Sequence, residues 1–376
     1  MMLKLLRFLG SLRITVIGLV LLLILTVWGT LYQADYGLYL AQERFYQSWY
    51  FLVGGFFPFP GAQLVMTVMF VNLATSMIVV ALRSRLRWGL ITTHLGLLMM
   101  LAAGAVTFYL GRHSQLTLTQ GEGANVAISF DAWEMVVMPP STTGNRKISA
   151  IDLPLLKPGR QISLPGGKLA IRVEEYYRNA EGLKESVDDL PENASGWTSL
   201  RALPPGKEPS DDRPGVVFML LEDGQEKGRY LLWGGDPGAT MLRAGDELLM
   251  VGIRRARLPL PAVIQLVDFR RELHPGSGIA KSFSSQVIVK SGQDEADRKV
   301  LISMNKPLRL QGFTFYQSSF SSAPGGLEVS TFSVVKNYGR LMPYIATGVT
   351  VVGMLLHFTG MLIIRLKRRE LAEAAS

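Results

Sequence analysis

"LITTHLGLLMMLAAG", residues 90–104, is the stretch on which the reading of the chain turns. It is apolar enough for the interior of a bilayer, where a span needs about 20 such residues, and yet it carries His94. An ionisable side chain at that depth is costly, and where one occurs it usually faces a partner, a water path or a bound group. Three other stretches share its length and character, so membrane spans are expected at roughly 12–31, 62–82, 90–110 and 342–364.

The composition agrees with a mixed protein. The chain has 376 residues, 48% of them hydrophobic, and its mean hydropathy of +0.23 is high for a soluble globular chain and modest for one built wholly of spans. Between the third and fourth spans lie about 230 residues of ordinary polar and apolar mixture, enough for a sizeable domain.

Basic residues fix the expected orientation, because cytoplasmic loops are enriched in them. Lys4, Arg7 and Arg13 precede the first span; Arg83, Arg85 and Arg87 fill the loop between the second and third; Arg365, Lys367, Arg368 and Arg369 follow the fourth. These ten cations, offset by Glu370 and Glu373, carry eight of the nine net positive charges. The pI of about 9.7 is therefore a topology signal, and no nucleic-acid partner is expected. Both termini are expected in the cytoplasm and the large domain outside. The first span has a basic flank but exits through "VWGTLYQADYG" without a small-x-small cleavage site, and reads as an uncleaved anchor.

The expected organisation is a three-helix membrane region over 1–110 with an aromatic interfacial segment at 44–61, an extracytoplasmic β-rich domain over 111–340, a fourth transmembrane helix over 341–364 and a basic cytoplasmic tail over 365–376. The fold class is thus a membrane protein with four transmembrane α-helices and a large extracytoplasmic all-β domain, sandwich or barrel-like. Its strands are read at 168–179, 215–235, 261–273 and 283–293, with "EDGQEKG" as a hairpin connection. Segments 138–147 and 190–214 read as loops, and the pairs Asp188-Asp189 and Asp211-Asp212 as solvated turns.

Cysteine is absent, which excludes a disulfide framework, a thiol redox motif and a thiolate metal site. The β domain shows no Ser-His-Asp order, no H-E-x-x-H and no phosphate-binding glycine loop, so no catalytic residue is assigned. "RFYQSWYFLVGGFFPFPGAQ", 44–63, reads either as an interfacial aromatic belt or as a flat shelf receiving a planar ligand or a partner helix.

Of the four histidines, His113 and His274 lie outside the spans and His94 and His357 within them. Counting from Arg87 and Arg365 at about 1.5 Å per residue, each of the latter pair sits roughly 10–12 Å inside the cytoplasmic boundary. Imidazole is a common axial ligand to haem iron. The small residues Gly96, Ala103, Gly353 and Gly360 would admit a porphyrin or another helix. The alternative is that each histidine hydrogen-bonds a neighbouring helix. Arg85 and Arg87, one or two turns below His94, are candidates to meet haem propionates, or serve only as topology signals.

Several motifs settle on one family. "SLRITVIGLVLLLILTVWGTLYQ", "FYQSWYFLV", the third span with His94, and "ISMNKPLRLQGFTFYQSSF" running into "VVKNYGRLMPYIATGVTVVGMLLHFTG" resemble the ResB family of cytochrome c biogenesis proteins. The most specific part is Asn305-Lys306-Pro307-Leu308, Gly312 and Phe315-Tyr316-Gln317-Ser318; "VDFRREL" and "GIAKSFSSQVIV" also resemble the family's extracytoplasmic strands. "KNYG" at 336–339 departs from it, since a proline is expected before the glycine, and 140–260 carries little of the likeness.

The resemblance implies the ResB half of a System II haem-ligating (holocytochrome c synthase) complex in the bacterial inner membrane. Such a subunit works with a ResC/CcsA-type membrane protein bearing a Trp-rich haem-handling loop, moves haem across the membrane and presents apocytochrome c for attachment at CXXCH. It implies b-type haem as the bound or transported group, with His94 as a ligand and His357 as a second candidate. Two other classes stay open. One is a haem-free scaffold whose β domain binds a partner protein; the other is an electron-transfer cytochrome b-like subunit, whose usual spacing of histidines on one helix is missing here.

Overall fold

The computed structural model describes residues 2–83, 88–138, 148–164, 168–184, 195–244, 247–276, 280–290, 297–322 and 325–374. The chain divides into two compact units, one made of 1–112 with 336–376 and the other of 113–335.

The first unit is helical: α1 (Met2–Leu9), α2 (Leu12–Tyr36), α3 (Leu38–Ala41), α4 (Ala62–Arg83), α5 (Trp88–Leu110) and α6 (Met342–Glu373). Among the described residues, four helices are long and apolar enough to cross a membrane, at the expected places. α2 runs past the expected end to Tyr36 and stops where Gly37 takes φ +87°, a conformation that favours glycine. α6 continues through the basic tail, whose Leu, Lys, Arg, Glu and Ala are good helix formers.

Asn72 of α4 is the polar knot of this bundle. The break between α1 and α2 frees carbonyls, and the Asn72 amide donates to those of Leu9 and Ser11 while its oxygen accepts from the Thr15 hydroxyl at 2.7 Å. Water is scarce at such a depth, so these groups must pair within the protein. Asn72→Leu is expected to cost about 2 kcal/mol, the sum of a few modest intramembrane hydrogen bonds. Thermal unfolding of the purified protein in detergent checks this.

α5 and α6 pack antiparallel through a seam of small residues. Gly89, Thr93 and Gly96 of α5 meet His357, Gly353 and Thr350 of α6 in that order. The approach is so close that a Cβ added at Gly353 would fall 2.4 Å from the Thr93 nitrogen, and one at Gly96 would fall 2.7 Å from the Thr350 nitrogen. Beyond the seam, "KNYG" turns the chain into α6. The Asn337 side chain accepts from the Gly339 amide at 2.8 Å and the Thr107 hydroxyl at 3.3 Å, so an Asx turn performs what a proline was expected to do.

The aromatic segment folds back on α2. A π-helical turn at Gln42–Tyr46 leads into the hairpin of β1 (Tyr50–Val53) and β2 (Phe57–Pro60). Phe45, Phe51 and Phe59 cluster on Trp28 at centroid distances of 5.5–5.8 Å, and Tyr32 meets Phe45 at 5.3 Å. These rings form a small core. Of the two readings of this segment, the shelf is mostly self-packed, while Trp49, Tyr50, Leu52, Phe56 and Phe57 are exposed.

The second unit is all β. Its strands are β3 (Arg112–Thr119), β4 (Gly123–Met138), β5 (Ser149–Asp152), β6 (Gln161–Ser163), β7 (Leu169–Tyr177) and β8 (Ala180–Leu183). They continue with β9 (Ser199–Ala202), β10 (Gly215–Glu222), β11 (Gln225–Trp233), β12 (Thr240–Ala244), β13 (Glu247–Leu273) and β14 (Ala280–Lys290). The last are β15 (Arg298–Ser303), β16 (Leu308–Leu310), β17 (Phe313–Ser322) and β18 (Glu328–Lys336).

Two long antiparallel strands, β4 and β13, run through two cores. The first core lies between the sheet β11-β10-β7-β6 and the paired halves of β4 and β13 that carry Met135, Val137, Val251 and Ile253. The second is enclosed by the sheet ordered β15-β14-β13-β4-β3-β18-β17-β16, with Leu118, Ile264, Val287, Phe315 and Phe332 inside. Register shifts at Arg255/Arg257 and at Pro259/Ile264 let one strand serve both cores, because bulges bend the strand and proline is tolerated at such irregularities. Ser285, Gln317 and Ser330 join β14, β17 and β18 through a buried hydrogen-bonded triad of 2.7–2.9 Å, which gives Gln317 of the "FYQS" motif a structural task.

The expected hairpin is present, and its turn residues Asp223 and Gly224 take φ of +47° and +81°, as a tight two-residue turn requires. The solvated-turn reading of Asp211-Asp212 needs correction. Asp212 is only 5% exposed and accepts from the Gly206 amide at 2.7 Å and Arg178 Nε at 3.3 Å, because the loop folds over it. Asp188-Asp189, 139–147 and 190–194 lie outside the described residues.

Tyr176 and Tyr177 at the end of β7 have phenols raised above the ordinary value, Tyr176 by burial and Tyr177 by its hydrogen bond to Glu175. A raised phenol binds its proton more tightly when folded, so its contribution is complete below pH 10 and is lost as the pH climbs through the folded value. Unfolding midpoints measured from pH 8 to 11 should fall above 10, and less steeply in Tyr176→Phe.

Candidate functional site

His94 lies on α5, half-buried, with its Nδ1 at 2.8 Å from the Leu90 carbonyl oxygen. A carbonyl only accepts, so Nδ1–H donates, and Nε2 is the ring nitrogen left for a ligand. Metal-bound histidines are held in this way, because the second ring nitrogen anchors to the backbone and fixes the tautomer.

The face that His94 occupies is set by helix geometry. The stripe Gly89, Thr93, Gly96 is taken up by α6, and at about 100° per residue His94 sits about 140° round the helix from Gly89. On the same face, seven, eleven and fourteen residues further on, come Leu101, Ala105 and Phe108. These line a cavity of about 700 Å³ between α4 and α5, faced on the other side by Ala62, Met66 and Phe70; its α5 wall runs from Met100 to Tyr109 and does not include His94. Its wall is mostly apolar, and its size falls within the range of small-molecule sites.

His357 is placed differently. Its backbone lies in the seam against Gly89, and its ring meets Phe358 edge-on at 5.6 Å. His357 is level with Gly89, five residues before His94, so the two histidines differ in height by more than one helical turn, about 7.5 Å. The even depth read from the flanking arginines therefore does not hold, and the two rings are not brought together around one point. Gly96 and Gly353 serve the helix seam and leave no room there for a porphyrin, whereas nothing crowds Gly360. Arg85 and Arg87 lie outside the described residues. His113 and His274 are exposed in the strand unit and its loops. Among the described residues there is no cluster of three or more metal-ligating side chains.

The strand unit holds one polar concentration that sequence reasoning missed. At the register shift in β13, the Arg255 guanidinium stacks 4.1 Å over Trp133 and donates to the carbonyls of Phe130, Pro209 and Ser210. Burial and then Arg213 lower its pKa from the ordinary arginine value. With those donors spent on three carbonyls, Arg255 ties the 203–214 loop to the bend between the cores. No local motif announces it, since the partners are distant in sequence.

These features define a class: among the described residues, a bundle with four helices of membrane-crossing length, one of them holding a histidine anchored at Nδ1, and a β unit built on two cores. Residues 231–359, from β11 to α6, match the ResB-like family. That stretch contains the "NKPL" and "FYQS" motifs and His357 and excludes His94. The chain is also similar to Protein NrfI of Wolinella succinogenes, with 22% identity over 264 residues, 70% of this chain and 26% of the relative. The chain thus spans about a quarter of the length of that curated relative.

Proposed function

We propose that this chain acts in cytochrome c biogenesis as the haem-handling subunit of a membrane complex, with His94 supplying one axial ligand to the iron of a b-type haem. The observation that carries the reading is the His94 ring on the apolar helix α5, pinned at Nδ1 by the Leu90 carbonyl with Nε2 left to coordinate. The donor fits the group: an imidazole anchored at Nδ1 turns Nε2 to the iron, as metal-bound histidines do. Haem bound there supplies the prosthetic group that apocytochromes receive. The chain's own part is to fix the imidazole and keep the site within apolar surroundings.

The second axial ligand comes from outside this chain in this reading, because His357 lies about five residues of rise from the level of His94, with its backbone against Gly89. Arg85 and Arg87, which precede α5 in the sequence, are the candidates to pair with the propionates, and both termini are cytoplasmic in the bacterial inner membrane. The strand unit stands outside and holds apocytochrome c beside a ResC/CcsA-type partner with a Trp-rich loop, and bond formation belongs to that partner. The family match over residues 231–359 and the charge pattern support this division of labour.

Cells in which this chain is the sole subunit of its type test the function. His94→Ala should abolish covalent haem attachment to an exported apocytochrome, and imidazole in the medium should restore part of it by filling the vacated axial position. Normal cytochrome c levels in the variant would refute the haem role.

A further inference from the structure

Arg44 stands at the centre of the π-helical turn, a rare element that often marks functional positions. Its guanidinium carbon lies 5.3 Å from the Tyr32 ring centroid, 5.6 Å from Phe51 and 5.9 Å from Phe45. Nη2 donates to the Leu52 carbonyl at 3.1 Å, which ties the turn to the hairpin. That bond uses one of five donors. Nε is sealed from solvent without a partner, and Nη1 makes no bond among the described residues and is not sealed. No carboxylate among the described residues pairs with this cation.

A cation clamped by three rings and a carbonyl, with the end of its fork facing outward, is preorganised for an oxyanion. Its place narrows the choice. Arg44 follows the end of the long apolar helix α2, and the hairpin beside it exposes Tyr50, Leu52, Phe56 and Phe57 without an intervening charge. Exposed aromatic and aliphatic side chains flanking a cation at the end of a span match the headgroup level of a bilayer.

We infer that Arg44 is a phosphate site that holds a phospholipid headgroup, with the hairpin lying along the lipid's apolar body. The ligand chemistry is a phosphate oxyanion, for which a lipid and free phosphate are the two sources. The inference does not depend on His94, and would stand if that residue bound no haem.

The test uses the full chain, purified in a maltoside detergent and stripped of lipid. Phenylglyoxal labelling of Arg44, read by peptide mass spectrometry, is compared with no addition, with inorganic phosphate and with dihexanoyl phosphatidylglycerol. Protection by the lipid at concentrations where inorganic phosphate gives little is the expected result, while equal protection by both would replace the lipid with free phosphate and overturn the headgroup assignment. Equal labelling in all three would overturn the site. In native mass spectra Arg44→Gln should retain the lipid about tenfold more weakly, the scale of a charge-assisted hydrogen bond, and Arg44→Lys should keep part of it. Unchanged retention in Arg44→Gln contradicts the inference, and the labelling result holds whether or not a variant folds.

Discussion

Gly353→Val should separate α5 from α6 and unfold the helical unit at a markedly lower temperature. A Cβ at that position falls 2.4 Å from the Thr93 nitrogen and 2.6 Å from its hydroxyl, and two of its nearest neighbours are backbone atoms that cannot rotate away. A small side chain is needed there because the attraction between membrane helices is van der Waals contact at short range, which vanishes when the backbones are pushed apart. The expected cost is about 3 kcal/mol, the upper end for forcing atoms into a packed interior. The cysteine-free chain permits a direct readout. A disulfide between Thr107→Cys and Asn337→Cys, positions whose native side chains are hydrogen-bonded, should form readily in the otherwise unchanged protein and poorly with Gly353→Val. Undiminished crosslinking would mean that the seam tolerates the methyl groups and that its glycines have another purpose.

Arg254→Met should be the most damaging single change in the strand unit. Arg254 and Glu134 are direct cross-strand partners on β13 and β4, with Nε at 2.8 Å from the carboxylate and the Glu134 side chain 7% exposed. Removing the cation leaves a carboxylate without its partner in a place where water cannot replace it, which typically costs about 3 kcal/mol or more. For a unit of this size that lowers the melting temperature by roughly 6–12 °C. Adding Glu134→Leu should restore most of the loss, because an apolar pair avoids the desolvation that the ion pair had to overcome. If the double variant melts as low as Arg254→Met alone, the pair itself is not the source of the effect.

What was legible in the sequence follows from the range of the interactions involved. Runs of apolar residues and flanking cations are local, so the four long helices appear where the composition placed them. Turn chemistry is local as well, and Asp223-Gly224 marks its hairpin. The 27-residue β13 was read only in its last part, since Pro259 and Pro261 resemble strand breakers until a bulge accommodates them. Which face of α5 carries His94 was also hidden. It depends on α6 claiming the Gly89, Thr93, Gly96 stripe, and α6 lies more than 230 residues away in the chain. Likewise Asp212 reads as a surface turn until the loop from Gly206 to Arg213 closes over it. The histidines were thus legible as candidates, and their separate faces were not.

The central claim, that His94 binds haem iron through Nε2, is tested most directly by the absorption spectrum of the purified full-length protein loaded with haem in lipid nanodiscs, beside that of His94→Ala. The account predicts a Soret and α-band pattern of a histidine-bound b-type haem in the unaltered chain, its loss or conversion to a weakly held form in His94→Ala, and its partial return on adding imidazole. Identical spectra for the two proteins would contradict it.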